Sequence, residues 1–153
     1  MIPYSKQKIL ADDIKAVTSI LKSDYLTQGP TVPRFESAIK NYVNSKHAIA
    51  VNSATSGLHI ACLALGLSKD DIVWTSPISF VASANCALFC GANVDFIDID
   101  KENFNLSITA LNKKLIEASK LKKLPKIIIP VHMAGQSCDM KALSKLSKKY
   151  GFK

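Results

Sequence analysis

Apolar positions along the chain follow two rhythms, and the change lies near residue 46. Before it, apolar side chains recur every three or four residues, which is typical of amphipathic helices. A first helix is predicted at about 11–22, and a second begins with Pro33 at its first position, where proline is tolerated. The predicted buried stripes are Ile9, Ile14, Val17, Ile20 and Leu21 in the first helix and Phe35, Ile39, Tyr42 and Val43 in the second.

From His47 onward, short apolar runs alternate with helical segments. Alternation of this kind, with nearly continuous apolar strands, predicts an α/β fold whose sheet is largely parallel and covered by helices. Gly66, Gly91 and Gly151 each follow a helical segment, where a left-handed C-terminal cap is favourable. Strands are predicted at 47–51, 72–75, 94–99 and 126–131, and helices at 55–65, 79–90, 108–118 and 139–150.

The length of 153 residues suits one domain, with N-terminal helices at 1–45 and a sheet-forming part at 46–153. After Gly151 the alternation calls for another buried strand, but the sequence ends at Lys153. An edge left without its neighbour exposes unpaired backbone groups. We therefore expect a truncated domain whose later strands are missing.

Composition restricts the class of protein. Hydrophobic residues make up 48% and charged residues 21% of the chain, as in ordinary globular proteins. Neither a signal peptide nor a long apolar run is found, so we expect a cytoplasmic protein without a membrane segment. The net charge of +8 fits solvated helix faces or an anionic ligand such as a nucleotide diphosphate. Nucleic-acid binding is not expected, because the basic segments lack interleaved aromatic residues.

The cysteines and histidines show no spacing typical of a metal site. Cys62, Cys86, Cys90 and Cys138 form no CxxC pair, and three of them lie in apolar helical runs, so buried free thiols are expected. No Ser-His-Asp or Cys-His arrangement indicates nucleophilic catalysis.

Candidate chemistry begins at Val51–Leu58 (VNSATSGL), where a predicted strand leads through small polar residues into a helix. Free backbone N–H groups at the positive end of a helix, with hydroxyls beside them, form a site for a phosphate. The alternative is that Ser53 or Thr55 only caps the helix. The octet by itself leaves both interpretations open.

Two more segments follow predicted strands. Ligands of open α/β sheets bind beyond the carboxyl ends of the strands, so 75–85 and 130–136 are candidates to border a common crevice. Phe80 could stack on a planar cofactor ring or belong to the core. His132 could bind a ligand or complete a buried turn.

Together these segments resemble the DegT/DnrJ/EryC1/StrS sugar aminotransferases, a branch of the fold type I enzymes that use pyridoxal phosphate (PLP). The resemblance runs from about residue 4 to 153, and it rests on five motifs in order. The residues of these motifs are most similar to those of enzymes that aminate C4 of a UDP-linked 4-keto-6-deoxy-hexosamine in pseudaminic acid synthesis. The motifs are Leu26–Pro30 (LTQGP) with Phe35 and Glu36, Lys46–His59 (KHAIAVNSATSGLH), Ser76–Asn85 (SPISFVASAN), Val94–Ile99 (VDFIDI) and His132–Gly135 (HMAG).

The resemblance implies roles for nine residues and PLP as the cofactor. Phe80 would stack on the pyridine ring, and His132 would lie near the cofactor. The family's Asp-x-x-His segment, whose Asp pairs with the pyridinium nitrogen, and its Schiff-base Lys segment would both lie beyond Lys153, so no catalytic residue is assigned. The phosphate would be bound by Ala54, Thr55 and Ser56, and the substrate would be bordered by Leu26, Thr27, Gln28 and Gly29.

The resemblance implies the N-terminal part of a PLP-dependent transaminase for a UDP-linked 4-keto-6-deoxy amino sugar, with glutamate as amino donor. The fragment alone is expected to be inactive, and to act as a homodimer or with a complementing C-terminal segment. One alternative is a non-catalytic partner of a full-length paralogue. Another is an anion-binding α/β domain whose likeness to the family is only architectural.

Overall fold

The computed structural model describes residues 6–153, which divide into one unit ending at Ala50 and a second at Val51–Lys153. The first unit contains helices α1 (Ala11–Leu21) and α2 (Thr31–Tyr42). Neither helix has a buried residue, so the buried stripes predicted for both are wrong, and Tyr42 is 89% exposed. An apolar stripe is buried only where another element packs against it, which the helical period alone does not show. Pro33 was predicted at the first position of the second helix, but it occupies the third position of α2. This costs no hydrogen bond, because the first N–H groups of a helix have no intrahelical acceptor. The single domain predicted over 1–153 stays a prediction.

The strand predicted at 47–51 is wrong. This segment pairs with no strand among the described residues. The amide of Ala50 donates instead to Oε1 of Glu36 on α2, at 2.8 Å. An apolar run becomes a strand only where a second strand completes the ladder of hydrogen bonds, and the local pattern does not reveal whether that partner is present.

The second unit alternates helices and strands, which confirms the α/β prediction. Its three strands are parallel in the order β2-β1-β3, with Val73 opposite both Val94 and Ile127. The predicted sheet is therefore present, with β1 at its centre. The elements are α3 (Ala54–Ala64), β1 (Ile72–Thr75), α4 (Ala82–Phe89), β2 (Asn93–Phe96), α5 (Ile108–Lys120), β3 (Ile127–Ile129), a 3-10 turn (Met133–Gly135) and α6 (Met140–Tyr150).

Three predicted elements are longer than the observed ones. Helix α4 begins at Ala82 and not at 79, because Ser79 and Phe80 belong to the turn that leaves β1. Strand β2 ends at Phe96, and Ile99 forms an isolated antiparallel bridge with Leu106. Strand β3 covers only 127–129 of the predicted 126–131.

Helices cover both faces of the sheet, as predicted. Side chains alternate along β1, so Val73 packs with Ile127 on one face and Trp74 packs with Ile128 on the other. The first face is covered by α3 and α4, and the second by α5 and α6. The buried clusters are Cys62, Leu67, Val73, Cys86, Ala87, Ala92 and Ile127 on the first face, and Trp74, Ile97, Leu106, Leu111, Leu115, Ala118, Ile128, Cys138, Leu143 and Phe152 on the second.

The ends of the helices bear out the predicted glycine caps. Gly66, Gly91 and Gly151 have φ values of +72°, +74° and +84°, a region that side chains with a Cβ rarely adopt. At Gly66 the amide of Leu67 donates to the carbonyl of Cys62 at 3.0 Å, as in a Schellman cap. Among the helices of residues 6–153, none combines the length and apolar character needed to cross a membrane.

The backbone of Lys153 pairs with β3. Its amide donates to the carbonyl of Lys126 at 3.0 Å, and its carbonyl accepts from the amide of Ile128 at 2.9 Å. Phe152 is buried beside these contacts. A segment with parallel-strand pairing therefore follows Gly151, at the position where the sequence predicts another strand.

The carboxylate of Asp71 stabilises the second unit in a pH-dependent way. The ammonium of Lys126 donates to Asp71 Oδ2 at 2.7 Å and to the carbonyl of Gly66 at 2.6 Å, and the hydrogen bond from Lys126 lowers the pKa of Asp71. A carboxylate with a lowered folded-state pKa stabilises the fold above its unfolded pKa of roughly 4, and this contribution is lost as the pH falls through the lower, folded value.

We therefore expect Asp71→Asn to be less stable than the parent chain at pH 6, with the difference shrinking below about pH 4. Urea unfolding at several pH values measures it. The control is Glu117→Gln, an exposed position on α5 for which no ion pair is found in the described part of the chain. A difference between Asp71→Asn and the parent that does not change between pH 6 and pH 3 would contradict this role.

Candidate functional site

Segments following β1 and β3 lie at the same edge of the sheet, because the two strands are parallel neighbours. Phe80 follows β1, and its side chain is 75% exposed, so the alternative that it belongs to the core is wrong. Its neighbours enclose a cavity of about 190 Å³. The lining residues are Thr75, Ser76, Pro77, Ser79, Phe80, Val81, Ser83, Ala84 and Phe96.

Hydroxyl groups line this cavity, and they differ in whether they have a hydrogen-bond partner within residues 6–153. The hydroxyl of Ser79 donates to Ser83 Oγ at 2.8 Å, and Thr75 Oγ1 donates to the carbonyl of Ile129 at 2.9 Å, which ties β1 to β3. Ser76 is only 2% exposed, and its hydroxyl has no hydrogen-bond partner within residues 6–153. A buried polar group is normally satisfied, so Ser76 leaves one donor and acceptor at the cavity.

The N-terminus of α3 supports both interpretations of the 51–58 octet. Ser53 is the N-cap, and its Oγ accepts from the amide of Ser56 at 3.1 Å, so capping is confirmed. The same hydroxyl donates to Ser56 Oγ at 3.0 Å. The amides of Ala54 and Thr55 belong to the first turn, where N–H groups have no intrahelical acceptor. These two amides, at the positive end of the helix, remain able to bind an anion.

His132 follows β3 and is exposed. Its Nδ1 accepts a hydrogen bond from the amide of Cys138 at 3.1 Å. A ring nitrogen that accepts is unprotonated, so the proton of the neutral imidazole lies on Nε2. His132 therefore completes a turn through one nitrogen and leaves the other as a donor for a ligand.

The substrate loop predicted at 26–29 lies in the first unit. Leu26 is 67% exposed, and Gln28 has a φ of +52°. A Cβ on Gly29 would lie 2.5 Å from the Cβ of Tyr25, a distance that only glycine allows. The loop is therefore tightly folded on itself while its side chains point to solvent.

The thiols of the second unit are poor candidates for catalysis. Burial raises the pKa of Cys62 to about 11 and also raises the pKa values of Cys86 and Cys90. A thiol that stays protonated at neutral pH is a weak nucleophile. Over residues 6–153, no group of three or more His, Cys, Asp or Glu side chains is arranged to hold a metal ion.

Sequence reasoning missed two polar residues of this region. Ser76 could have been found, since it is the first polar residue after the central strand. Asn105 is 4% exposed and donates to the loop that follows His132, but nothing in its sequence surroundings distinguishes it from a surface loop residue. Of the predicted site residues, the sheet brings the segments of Phe80 and His132 to one edge, and the α3 turn belongs to the same unit.

Comparisons with known proteins agree on one family. Residues 7–153 match the profile of the DegT/DnrJ/EryC1/StrS aminotransferase family. A relative in Campylobacter jejuni, a UDP-4-amino-4,6-dideoxy-N-acetyl-beta-L-altrosamine transaminase, is 44% identical over 98% of this chain and 39% of its own length.

Two solved structures extend this similarity. Helicobacter pylori PseC, an aminotransferase of pseudaminic acid biosynthesis, is 34% identical with a TM-score of 0.84, over 98% of this chain and 39% of its own. Spr1654 of Streptococcus pneumoniae, solved in a PLP-form, is 27% identical with a TM-score of 0.85, over 99% of this chain and 37% of its own. The chain thus spans less than two fifths of the length of the proteins it matches.

Proposed function

This chain belongs to the DegT/DnrJ/EryC1/StrS aminotransferase family, and we propose that it supplies the phosphate- and ring-binding part of a PLP-dependent nucleotide-sugar aminotransferase. Membership of the family excludes the alternative that the likeness is only architectural. PLP, the cofactor expected from the sequence, is borne out by the PLP-form of a structural neighbour. The proposal rests above all on the two free amides at the N-terminus of α3.

The α3 turn fits a phosphate monoester. The amides of Ala54 and Thr55 belong to the first turn, at the positive end of the helix, and Thr55 and Ser56 contribute hydroxyls to the same turn. Ser53 already satisfies the amide of Ser56, so it holds the turn in shape without occupying the two free donors. Such donors stabilise a dianion through hydrogen bonds and the helix dipole together.

The edge of the sheet fits a planar ring. Phe80 exposes three quarters of its surface next to the cavity that follows β1, and an exposed aromatic face can stack on a pyridine ring. His132 presents Nε2–H from the neighbouring strand end, as a hydrogen-bond donor. When bound, PLP supplies a carbonyl that takes up an amino group and a ring that withdraws electrons from the reacting carbon. The chain's own residues bind the cofactor and orient it.

The substrate that we propose is a UDP-linked 4-keto-6-deoxy amino sugar, with glutamate as amino donor. The support is the name of the C. jejuni relative and the identity of 44%. The loop Leu26–Gly29 would border the sugar, and a cytoplasmic location suits a nucleotide-sugar substrate. A homodimer, or a complementing C-terminal segment, would complete the site.

A second candidate function is a non-catalytic partner that assembles with a full-length paralogue. The observation in its favour is that no lysine is among the residues that line the cavity after β1, within the described chain. The test asks whether a full-length paralogue co-purifies with this chain and whether adding the chain raises the specific activity of the paralogue. Co-purification with at least a doubling of that activity would support this function, and an unchanged activity would remove it.

The binding test uses pyridoxamine phosphate, which has no aldehyde and cannot label surface lysines. Calorimetric titration should give one site per chain for the parent. Thr55→Ala with Ser56→Ala should weaken binding about tenfold or more, since hydrogen bonds to charged groups contribute about 1.5–3 kcal/mol. Phe80→Ala should weaken it about three- to tenfold through lost stacking, at about 0.5–1.5 kcal/mol.

Controls separate binding at the N-terminus of α3 from non-specific binding. Phe89→Ala removes a half-exposed phenylalanine at the C-terminal end of α4 and should leave the affinity unchanged. Pyridoxamine without its phosphate should not bind measurably, and inorganic phosphate should compete. If the double variant bound pyridoxamine phosphate as tightly as the parent and inorganic phosphate did not compete, the assignment of the phosphate to α3 would be wrong.

A further inference from the structure

The loop carrying His132 adopts a strained backbone. Within the 3-10 turn, Ala134 has a φ of +50° and Gly135 a φ of +85°. A left-handed conformation is unfavourable for a residue with a Cβ, because the Cβ then lies too close to the following carbonyl oxygen. Such strain persists only where the surrounding structure holds the residue in place, and it is concentrated at functional sites.

Asn105 makes the contacts that hold this loop. Its Oδ1 accepts from the amide of Met133 at 2.9 Å. Its Nδ2 donates to the carbonyl of Gln136 at 3.2 Å and to the carbonyl of Ser137 at 3.3 Å. One side chain, 4% exposed, thus bonds both the entry and the exit of the strained turn.

The position of Asn105 is itself fixed by a short hairpin between β2 and α5. Its amide donates to Asn103 Oδ1 at 2.9 Å, and its carbonyl accepts from the amide of Asp100 at 2.8 Å. The next residue, Leu106, is buried in the core and bridges to Ile99. A rigid part of the second unit therefore supports the loop through one amide group.

The exit of the turn leads directly to the amide that fixes the imidazole. Cys138 follows Ser137, and its N–H donates to His132 Nδ1 at 3.1 Å. We propose that Asn105 is a positioning residue of the cofactor site: by bonding both ends of the 133–137 turn, it places the Cys138 amide on Nδ1 and so keeps the His132 proton on Nε2. This inference rests on the proposed role of His132 at the cofactor.

The test compares Asn105→Ala with Ser107→Ala in the full chain by NMR. Ser107 caps α5 by accepting from the amide of Ala110 at 3.2 Å, so its loss destabilises the same region while the hydrogen bonds of Asn105 to the His132 loop stay in place. For Asn105→Ala we expect exchange of the Cys138 and Gly135 amides to rise about tenfold relative to Ser107→Ala, as the loss of a buried hydrogen bond implies. The ¹⁵N shifts of His132 should move from those of the Nε2–H form to those of a tautomer mixture.

If Asn105→Ala changed amide exchange but not the ¹⁵N shifts of His132, the positioning role would be overturned. It would also be overturned if Asn105→Ala and Ser107→Ala gave the same exchange rates and the same His132 shifts. The parent chain provides a measurement that does not depend on folding of a variant: the side-chain amide protons of Asn105 should exchange slowly, and exchange at the rate of a free amide would contradict the proposal.

Titration with pyridoxamine phosphate separates the positioning role of Asn105 from the proposed function of the chain. If the parent chain passes the NMR tests but does not bind pyridoxamine phosphate, the proposed function is removed and the placement of His132 by Asn105 is kept. If the parent chain binds pyridoxamine phosphate but fails the NMR tests, only the positioning role of Asn105 is removed.

Discussion

A polypeptide of these 153 residues, supplied with PLP, glutamate and a UDP-linked 4-keto sugar, is expected to give no amination above the rate measured without protein. Transamination needs an amine that carries protons at the cofactor and an acid that keeps the ring protonated. Neither the Asp-x-x-His nor the lysine motif of the family is found in this sequence. Among the described residues, no lysine or carboxylate lines the cavity beside Phe80.

The measurement is formation of the 4-amino sugar over time, with the C. jejuni relative as positive control at equal concentration. Borohydride treatment followed by mass spectrometry adds a second readout. Surface lysines react weakly with the aldehyde, so the parent and the variant with Thr55→Ala and Ser56→Ala should be labelled equally. Product formation by the pure chain, or labelling of one lysine that depends on Thr55 and Ser56, would show that this chain contains its own catalytic amine.

Leu115→Ala is expected to cause a large loss of stability in the second unit. The Leu115 side chain is fully buried between α5 and the sheet, in contact with the cluster around Trp74. Removing a buried leucine costs about 2–5 kcal/mol, because transfer energy is lost and a cavity is left. Total stabilities are about 5–15 kcal/mol, so this single change removes a large part of the total.

Urea unfolding followed by circular dichroism measures the loss. The matched control is Ile116→Ala, one residue along the same helix but 41% exposed, for which a loss below about 1 kcal/mol is expected from partial burial. Equal destabilisation by the two variants would mean that α5 does not pack on the sheet through the face that contains Leu115.

Local patterns predicted the helices better than the strands. The helix predicted at 108–118 is observed as α5, and the structure buries Leu111, Leu115 and Ala118 along one face of it. Residues 47–51 and 72–75 have similar apolar runs, yet only the second forms a strand, because within residues 6–153 only it pairs with other strands. Pairing is a non-local property, so a run of apolar residues does not contain it.

The candidate site was predictable where backbone geometry follows from local sequence. The octet 51–58 predicts a helix N-terminus with hydroxyls, and α3 begins there with Ser53 as its cap. The segments of Phe80 and His132 follow strands, which predicts a shared edge. The contact of Asn105 with the His132 loop was not predictable, since it joins residues about thirty positions apart.

The family, the α/β alternation, the capped helix ends and the helix N-terminus at Ser53 followed from the amino-acid sequence, because each depends on residues adjacent in the chain. The strand order, the exposure of Phe80 and the Ser76 hydroxyl, which has no partner within residues 6–153, could be established only from the folded chain. The tertiary structure also decided which nitrogen of His132 is left to donate. These features depend on which distant segments come into contact, and packing and hydrogen-bond satisfaction in the folded chain select those contacts.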